Sequence, residues 1–151
     1  MPHTHPQHIV AAGCLVTNAD NHILLVRSPK RGWEFPGGQV EEGEAIDKAV
    51  VREVYEESGI RIALDGMAAI YTSRSEPPKV IFDFLGHAID GELRTSAESL
   101  EVGWFPKNQA PDMITHPGYR DRIQVLMQFT GRIVYRVYER EPYDIVHYTE
   151  W

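Results

Sequence analysis

Glu53, Glu56 and Glu57 stand at i, i+3 and i+4 within Gly38–Ile60, a segment reading GQVEEGEAIDKAVVREVYEESGI. On a helix of about 3.6 residues per turn these three side chains are neighbours. Ile46, Ala49 and Val50 form the apolar face of the same helix, and Glu53 and Glu57 continue that stripe. A solvated acidic surface would lie opposite the apolar stripe, so a solubilising role explains this pattern badly. Three clustered carboxylates repel one another unless something positive sits among them. Their oxygens are hard ligands of the kind that suit Mg²⁺ or Mn²⁺. Arg52, one turn before Glu56, can orient a carboxylate but cannot balance three. Gly37 and Gly38 open the segment; such a pair lets backbone approach closely and frees a carbonyl for a metal or an amide for a phosphate oxygen. A plain tight turn is the simpler reading of the two glycines taken alone.

The elements that must position these groups are legible in outline. Glu44 to Ser58 reads as a helix with acidic residues crowding its start and Gly59 just past its end. His8 to Thr17 and His22 to Arg27 read as strands joined by the turn Asn18-Ala19-Asp20-Asn21, a hairpin. Ser28 to Gly32 reads as a loop, followed by the aromatic stretch Trp33-Glu34-Phe35-Pro36. Ile60 to Leu64, Met67 to Ser73, Val80 to Ile89, Leu100 to Phe105 and Ile133 to Tyr138 have strand character, and Tyr119 to Thr130 carries apolar residues at helical spacing. Strands and helices mix without regular alternation, which indicates one α/β or α+β domain.

Composition narrows the function classes. The 151 residues are 42% hydrophobic and 25% charged, enough for one domain with a real core. No stretch reaches the roughly 20 apolar residues of a membrane span, so no membrane partner is expected. The net charge of −7 disfavours duplex nucleic acid, yet admits a small polyanion if metal ions offset the local field. Residues 1–7 read as a flexible tail ahead of a domain over 8–151; His3, His5 and His8 are irregularly spaced, and no Cys or carboxylate accompanies them as a metal site would require. The single cysteine, Cys14, sits in an apolar run and reads as a buried thiol, which fits a reducing, cytoplasmic setting.

The acidic segment resembles the Nudix box, GX5EX7REUXEEXGU with U a bulky aliphatic residue. Gly38, Glu44, Arg52, Glu53, Val54, Glu56, Glu57, Gly59 and Ile60 fill every fixed position at the right spacing. The flanks are similar too, with a hairpin before the box and WEFPGG leading into it. The resemblance implies a single-domain Nudix fold, a mixed β-sheet between helices. It also implies hydrolysis of a nucleoside diphosphate-linked small molecule with Mg²⁺ or Mn²⁺ bound. By position it makes Glu53, Glu56 and Glu57 metal ligands, with a backbone carbonyl at Gly38 as a further donor. Glu53 would also organise the attacking water, Arg52 would orient a carboxylate, and Glu44 would tie the loop to the helix. The family's general base often lies after the box, which makes Glu98 and Glu101 equal candidates. A homodimer is an option that the composition does not decide.

Substrate contacts are less legible. Gly37 is a candidate for a phosphate contact, and Arg27, Lys30 and Arg74 are the basic residues that sequence position offers. Trp33, Phe35, Tyr71, Phe82, Phe84 and Trp104 are stacking candidates that strand patterning also assigns to the core. Tyr135, Tyr138, Tyr143 and Tyr148 make the C-terminus aromatic, either a cover over the site, a dimer contact, a packed strand or a surface tail. Pro77 and Pro78 fall near the window where a proline marks some ADP-sugar hydrolases, but their context is not distinctive, so the substrate stays open among nucleotide sugars, dinucleoside polyphosphates and nucleoside triphosphates. Two other readings compete: a catalytically silent Nudix-fold nucleotide-binding or sensor module, which would be expected to lose box carboxylates, and an isopentenyl diphosphate isomerase-like enzyme, which would need Cys14 in the pocket.

Overall fold

The computed structural model describes residues 4–151; His3 lies outside them, and residues 4–8 have no regular structure. The elements run β1 (Ile9–Thr17), β2 (His22–Ser28), β3 (Gly32–Glu34), β4 (Gly37–Gln39), α1 (Ile46–Ser58), β5 (Ile60–Ser73), β6 (Lys79–Gly91), β7 (Glu101–Pro106), α2 (Ala110–Met113), α3 (Pro117–Met127), β8 (Val134–Arg140) and β9 (Tyr143–Glu150). The strands form one mixed sheet in the order β3-β2-β1-β6-β5-β8-β9, with β4 also on β1 and β7 also on β2. Pairs β1–β6 and β5–β8 are parallel and the rest antiparallel.

Alternation along the strands sorts the core into two layers. Ala12, Cys14 and Val16 of β1 and Leu24 of β2 face Val50 and Val54 of α1. Leu15 of β1 and Ile23 and Leu25 of β2 face Ile114 after α2 and Ile123 and Leu126 of α3. The sheet is therefore sandwiched between α1 on one face and α2 and α3 on the other. Among the described residues no helix is long and apolar enough to cross a membrane.

Three features depart from the sequence reading. Helix α1 starts at Ile46 rather than Glu44, because the Glu44 carboxylate is drawn back to the Glu41 amide and across to Arg52, holding the preceding residues in a turn. Ile60–Ser73 is one strand, since bulges against β6 absorb Asp65-Gly66. The short α2 precedes α3. The aromatic C-terminus takes the packed-strand option, as β9 antiparallel to β8. At the end of α1, Gly59 takes φ 80°, and a Cβ there would fall 2.2 Å from the Glu92 carbonyl oxygen. That left-handed cap turns the chain straight from α1 into β5.

Candidate active site

The acidic end of α1 packs onto the β4 loop. Glu57 is only 5% exposed, and its Oε1 accepts from the Gly37 N–H at 2.8 Å. The Glu53 carboxylate lies against Gly38 so closely that a Cβ there would sit 2.4 Å from Glu53 Cδ. A side chain at position 38 would displace the Glu53 carboxylate from this contact, so the close approach depends on glycine there. Arg52 grips Glu44 with two hydrogen bonds, at 2.7 and 2.8 Å, and reaches the Gln39 carbonyl at 3.2 Å. Its Nη1 also donates to Glu53 at 3.0 Å and to the exposed Glu56 at 3.1 Å. One guanidinium thus fastens the loop to the helix and sets the Glu53 rotamer.

Charge in this cluster is unevenly matched. Arg52 holds the Glu44 carboxyl down, at about 2. Burial pushes Glu57 up to about 8 against the Gly37 hydrogen bond, and Glu34, Glu53 and Glu98 add to the rise. Burial also raises Glu53, opposed by Arg52 and reinforced by Glu56 and Glu98. The protein alone therefore penalises ionised Glu53 and Glu57, a penalty that a divalent cation reverses. Among the described residues no three acidic, His or Cys side chains converge as a finished cage, since Arg52 and the Gly37 amide engage the carboxylates. In donor chemistry and charge the residues still fit a hard divalent ion.

The loop before β7 separates the two later glutamates. Buried Ser99 donates its Oγ hydrogen to the Glu57 carbonyl at 2.5 Å, and the Arg94 amide donates to Ser58 O at 2.9 Å. These bonds lay the loop across the end of α1 and bring Glu98 within electrostatic range of Glu53 and Glu57. Glu101 instead opens β7 opposite Arg27 of β2, and the two side chains pair at 2.5 Å on the surface.

Beside the Gly37–Gln39 backbone lies a cavity of about 710 Å³. Gly37 and Gly38 line it, so the acidic cluster and the cavity meet across the glycine backbone. Arg27 and Arg74 do not line it: Arg27 is turned to Glu101 by the β2–β7 register, and Arg74, just past β5, lies 3.7 Å from Glu139. Exposed Lys30 is also absent from the walls. The basic residues that do line it are Arg31, Lys79, Arg122 and Arg140. Sequence position gave no sign of them, because they come from four separate segments. Buried Glu34, also missed, binds Arg31 at 2.7 and 3.0 Å; the alternation of β3 against β2 was its only signal.

Among the aromatic candidates, Phe35 and Tyr71 reach the cavity, joined by Tyr119, Tyr138 and Tyr143. Trp33 packs edge-on to Phe105, while Phe82, Phe84 and Trp104 belong to the core under α1. Arg122 is buried on Asp83 through two bonds of 2.7 and 2.6 Å, with its guanidinium over Phe35 and Tyr119. Cys14 is fully buried, and desolvation with the charges of Asp83 and Asp65 pushes its thiol far up. It lies in the core against Val50 and Val54 of α1 and is not among the residues lining the cavity, where the isomerase-like reading would need it.

A family model described as NUDIX domain matches residues 7–128. The chain is 33% identical over 108 residues to a MutT-like protein of Streptomyces ambofaciens, spanning 71% of this chain and 70% of that one. It is 32% identical over 105 residues to an ADP-ribose pyrophosphatase of Methanocaldococcus jannaschii, spanning 65% of this chain and 62% of the relative. Against the human 8-oxo-dGDP phosphatase NUDT18 it is 34% identical over 99 residues, 60% of this chain but only 30% of that protein. In fold it is similar to the crystal structure of the mMutator MutT protein from Bacillus halodurans, with a TM-score of 0.79 and 24% identity over 94% of this chain and 97% of the other.

Proposed function

Because the chain belongs to the Nudix hydrolase family, we propose that it hydrolyses a phosphoanhydride bond in a nucleoside diphosphate-linked substrate, with Mg²⁺ or Mn²⁺ held by Glu53, Glu56, Glu57 and the Gly38 carbonyl. Divalent metal use is typical of the family. The observation that carries the reading is the Glu53 carboxylate packed on the Gly38 backbone, where the acidic cluster borders a nucleotide-sized cavity. Relatives named as an ADP-ribose pyrophosphatase and an 8-oxo-dGDP phosphatase support a small nucleotide as substrate.

Divalent ions held by these carboxylates would neutralise phosphoryl charge and make a bound water a better nucleophile. The chain's own residues do the rest. Arg52 keeps Glu53 in one orientation, and the Gly37 amide does the same for Glu57. Glu98 is the proton acceptor for the attacking water, since its loop is fastened to the end of α1. Glu101 belongs to the β2–β7 edge through Arg27. Glu98→Gln is expected to lower kcat by about 10²-fold, within the range for a general base, while Glu101→Gln stays within about twofold. Parallel steady-state kinetics of the two variants separates them, and equal losses would remove the assignment.

Metal dependence tests the reading directly. EDTA should abolish turnover, and adding Mg²⁺ or Mn²⁺ to the stripped protein should raise its Tm. At about 100 times Kd the stabilisation is about 2.7 kcal/mol, which is a rise of roughly 5–10 °C for a chain of this size. Turnover that persists in EDTA, or a Tm indifferent to either ion, would refute metal binding at the acidic cluster.

A further inference from the structure

The β8–β9 hairpin lies beyond the residues that the family model matches, which end at 128. Its turn nevertheless supplies Arg140, Glu141, Pro142 and Tyr143 to the cavity wall. Asp121 of α3 holds the turn in place: it accepts from the hydroxyls of Tyr143 at 3.1 Å and Tyr71 at 2.9 Å, and from Arg136 at 2.5 Å. One carboxylate thus ties α3, β5, β8 and β9 together beside the cavity.

The cations facing this space are not equally satisfied. Arg31 is paired with Glu34 and Arg122 with Asp83. Lys79 and Arg140 have no carboxylate partner among the described residues. Burial, followed by Arg140, Arg122 and Arg31, drives the Lys79 ammonium below its usual range. Among the described residues Glu141 is the single carboxylate in the wall, and it is exposed. Like charges gathered in a half-buried place, in a chain of net charge −7, repel until an anion enters.

Register separates this basic end from the acidic one. Gln39 of β4 pairs with Ala11 of β1, Ala11 pairs with Ile81 of β6, and Lys79 lies two residues along from Ile81. Two strand spacings put Lys79 on the order of 10 Å from β4. That distance exceeds the separation of the two phosphates of one anhydride and matches that of two groups at opposite ends of a nucleotide.

We propose that Lys79 and Arg140 form a second anion-binding locus, which takes a phosphate group of the substrate other than those of the cleaved anhydride. Only the identification of the anion as part of a substrate rests on the hydrolase reading; the locus itself does not. The preferred substrates are then nucleotides carrying an additional phosphate remote from the scissile bond. The appended hairpin is the specificity element that selects them.

The test uses the full chain in EDTA, where nothing is turned over. Inorganic pyrophosphate is titrated while backbone amides are followed by NMR. The expected shifts are at Lys79, Gly118, Arg140 and Tyr143. Affinity should fall at least tenfold in Lys79→Met/Arg140→Met and be unchanged in Glu53→Gln, so loss of the catalytic reading leaves this result standing. If the double variant does not fold, Arg140→Met alone, at the exposed end of β8, gives the same comparison. Shifts confined to residues 37–44, or equal affinity in the variant, would overturn the locus. A second arm compares adenosine 3′,5′-bisphosphate with adenosine 5′-monophosphate. The bisphosphate should bind wild type at least tenfold more tightly, and the difference should vanish in the variant. Pyrophosphate binding without that difference would mean that the locus takes free inorganic anions only and would overturn its role in substrate choice.

Discussion

Glu53→Gln should lower turnover by about 10²–10⁴-fold, the range expected when a group that organises proton transfer is neutralised, while the protein keeps its fold. The amide is nearly isosteric, so the close contact with Gly38 survives, but it loses the charge that draws a cation and that receives Arg52 Nη1. Because burial and the neighbouring carboxylates already disfavour ionised Glu53, the metal-free variant should be no less stable than wild type. Loss of activity with unchanged or raised Tm in EDTA therefore marks a functional carboxylate. Near-normal turnover would remove the role assigned to Glu53.

The second large effect is on stability. Asp83→Ala leaves Arg122 charged and buried between Phe35 and Tyr119 with no counter-ion. Breaking a buried pair from one side costs about 3–5 kcal/mol, or a fall of roughly 6–20 °C in Tm for this chain length. Gly13 shows how tightly the pair is seated: a Cβ there would meet Phe35, Arg122 and Asp83 at 2.8 to 2.9 Å. Replacing both partners, as Asp83→Leu with Arg122→Met, should recover much of the loss, because no uncompensated charge remains. Thermal unfolding of the single and double variants measures this. If the single variant unfolds within a degree or two of wild type, the pair does not stabilise the sheet–α3 contact.

Helix α1 and its acidic face were legible because their signals are local. The i, i+3, i+4 spacing of Glu53, Glu56 and Glu57 and the terminating Gly59 lie within one segment, and the box adds positions that chance rarely fills. The cavity wall was not legible as a whole, because Arg31, Lys79, Tyr119 and Arg122 meet only through long-range pairing and helix packing. Arg27 and Arg31 show the difficulty: they lie one short loop apart, yet register turns the first to Glu101 while the second binds Glu34 at the cavity. For Tyr143–Glu150 a packed strand stood beside a surface tail, because a largely exposed edge strand lacks a clear apolar alternation that would decide between them. Glu98 could not be separated from Glu101 without the Ser99 bond that fixes its loop.

Metal-dependent cleavage of a phosphoanhydride at the Glu53–Glu57 cluster is the activity proposed for this chain. Its most direct test is phosphate or nucleotide release from a panel containing ADP-ribose, other nucleotide sugars, nucleoside diphosphate derivatives with an additional remote phosphate, dinucleoside polyphosphates, and normal and oxidised nucleoside triphosphates. Each is run with Mg²⁺, with Mn²⁺ and in EDTA. Turnover of one class with metal and none in EDTA is the predicted result. No turnover of any member, with nucleotide binding retained, would contradict it and identify the chain as a binding module on this fold.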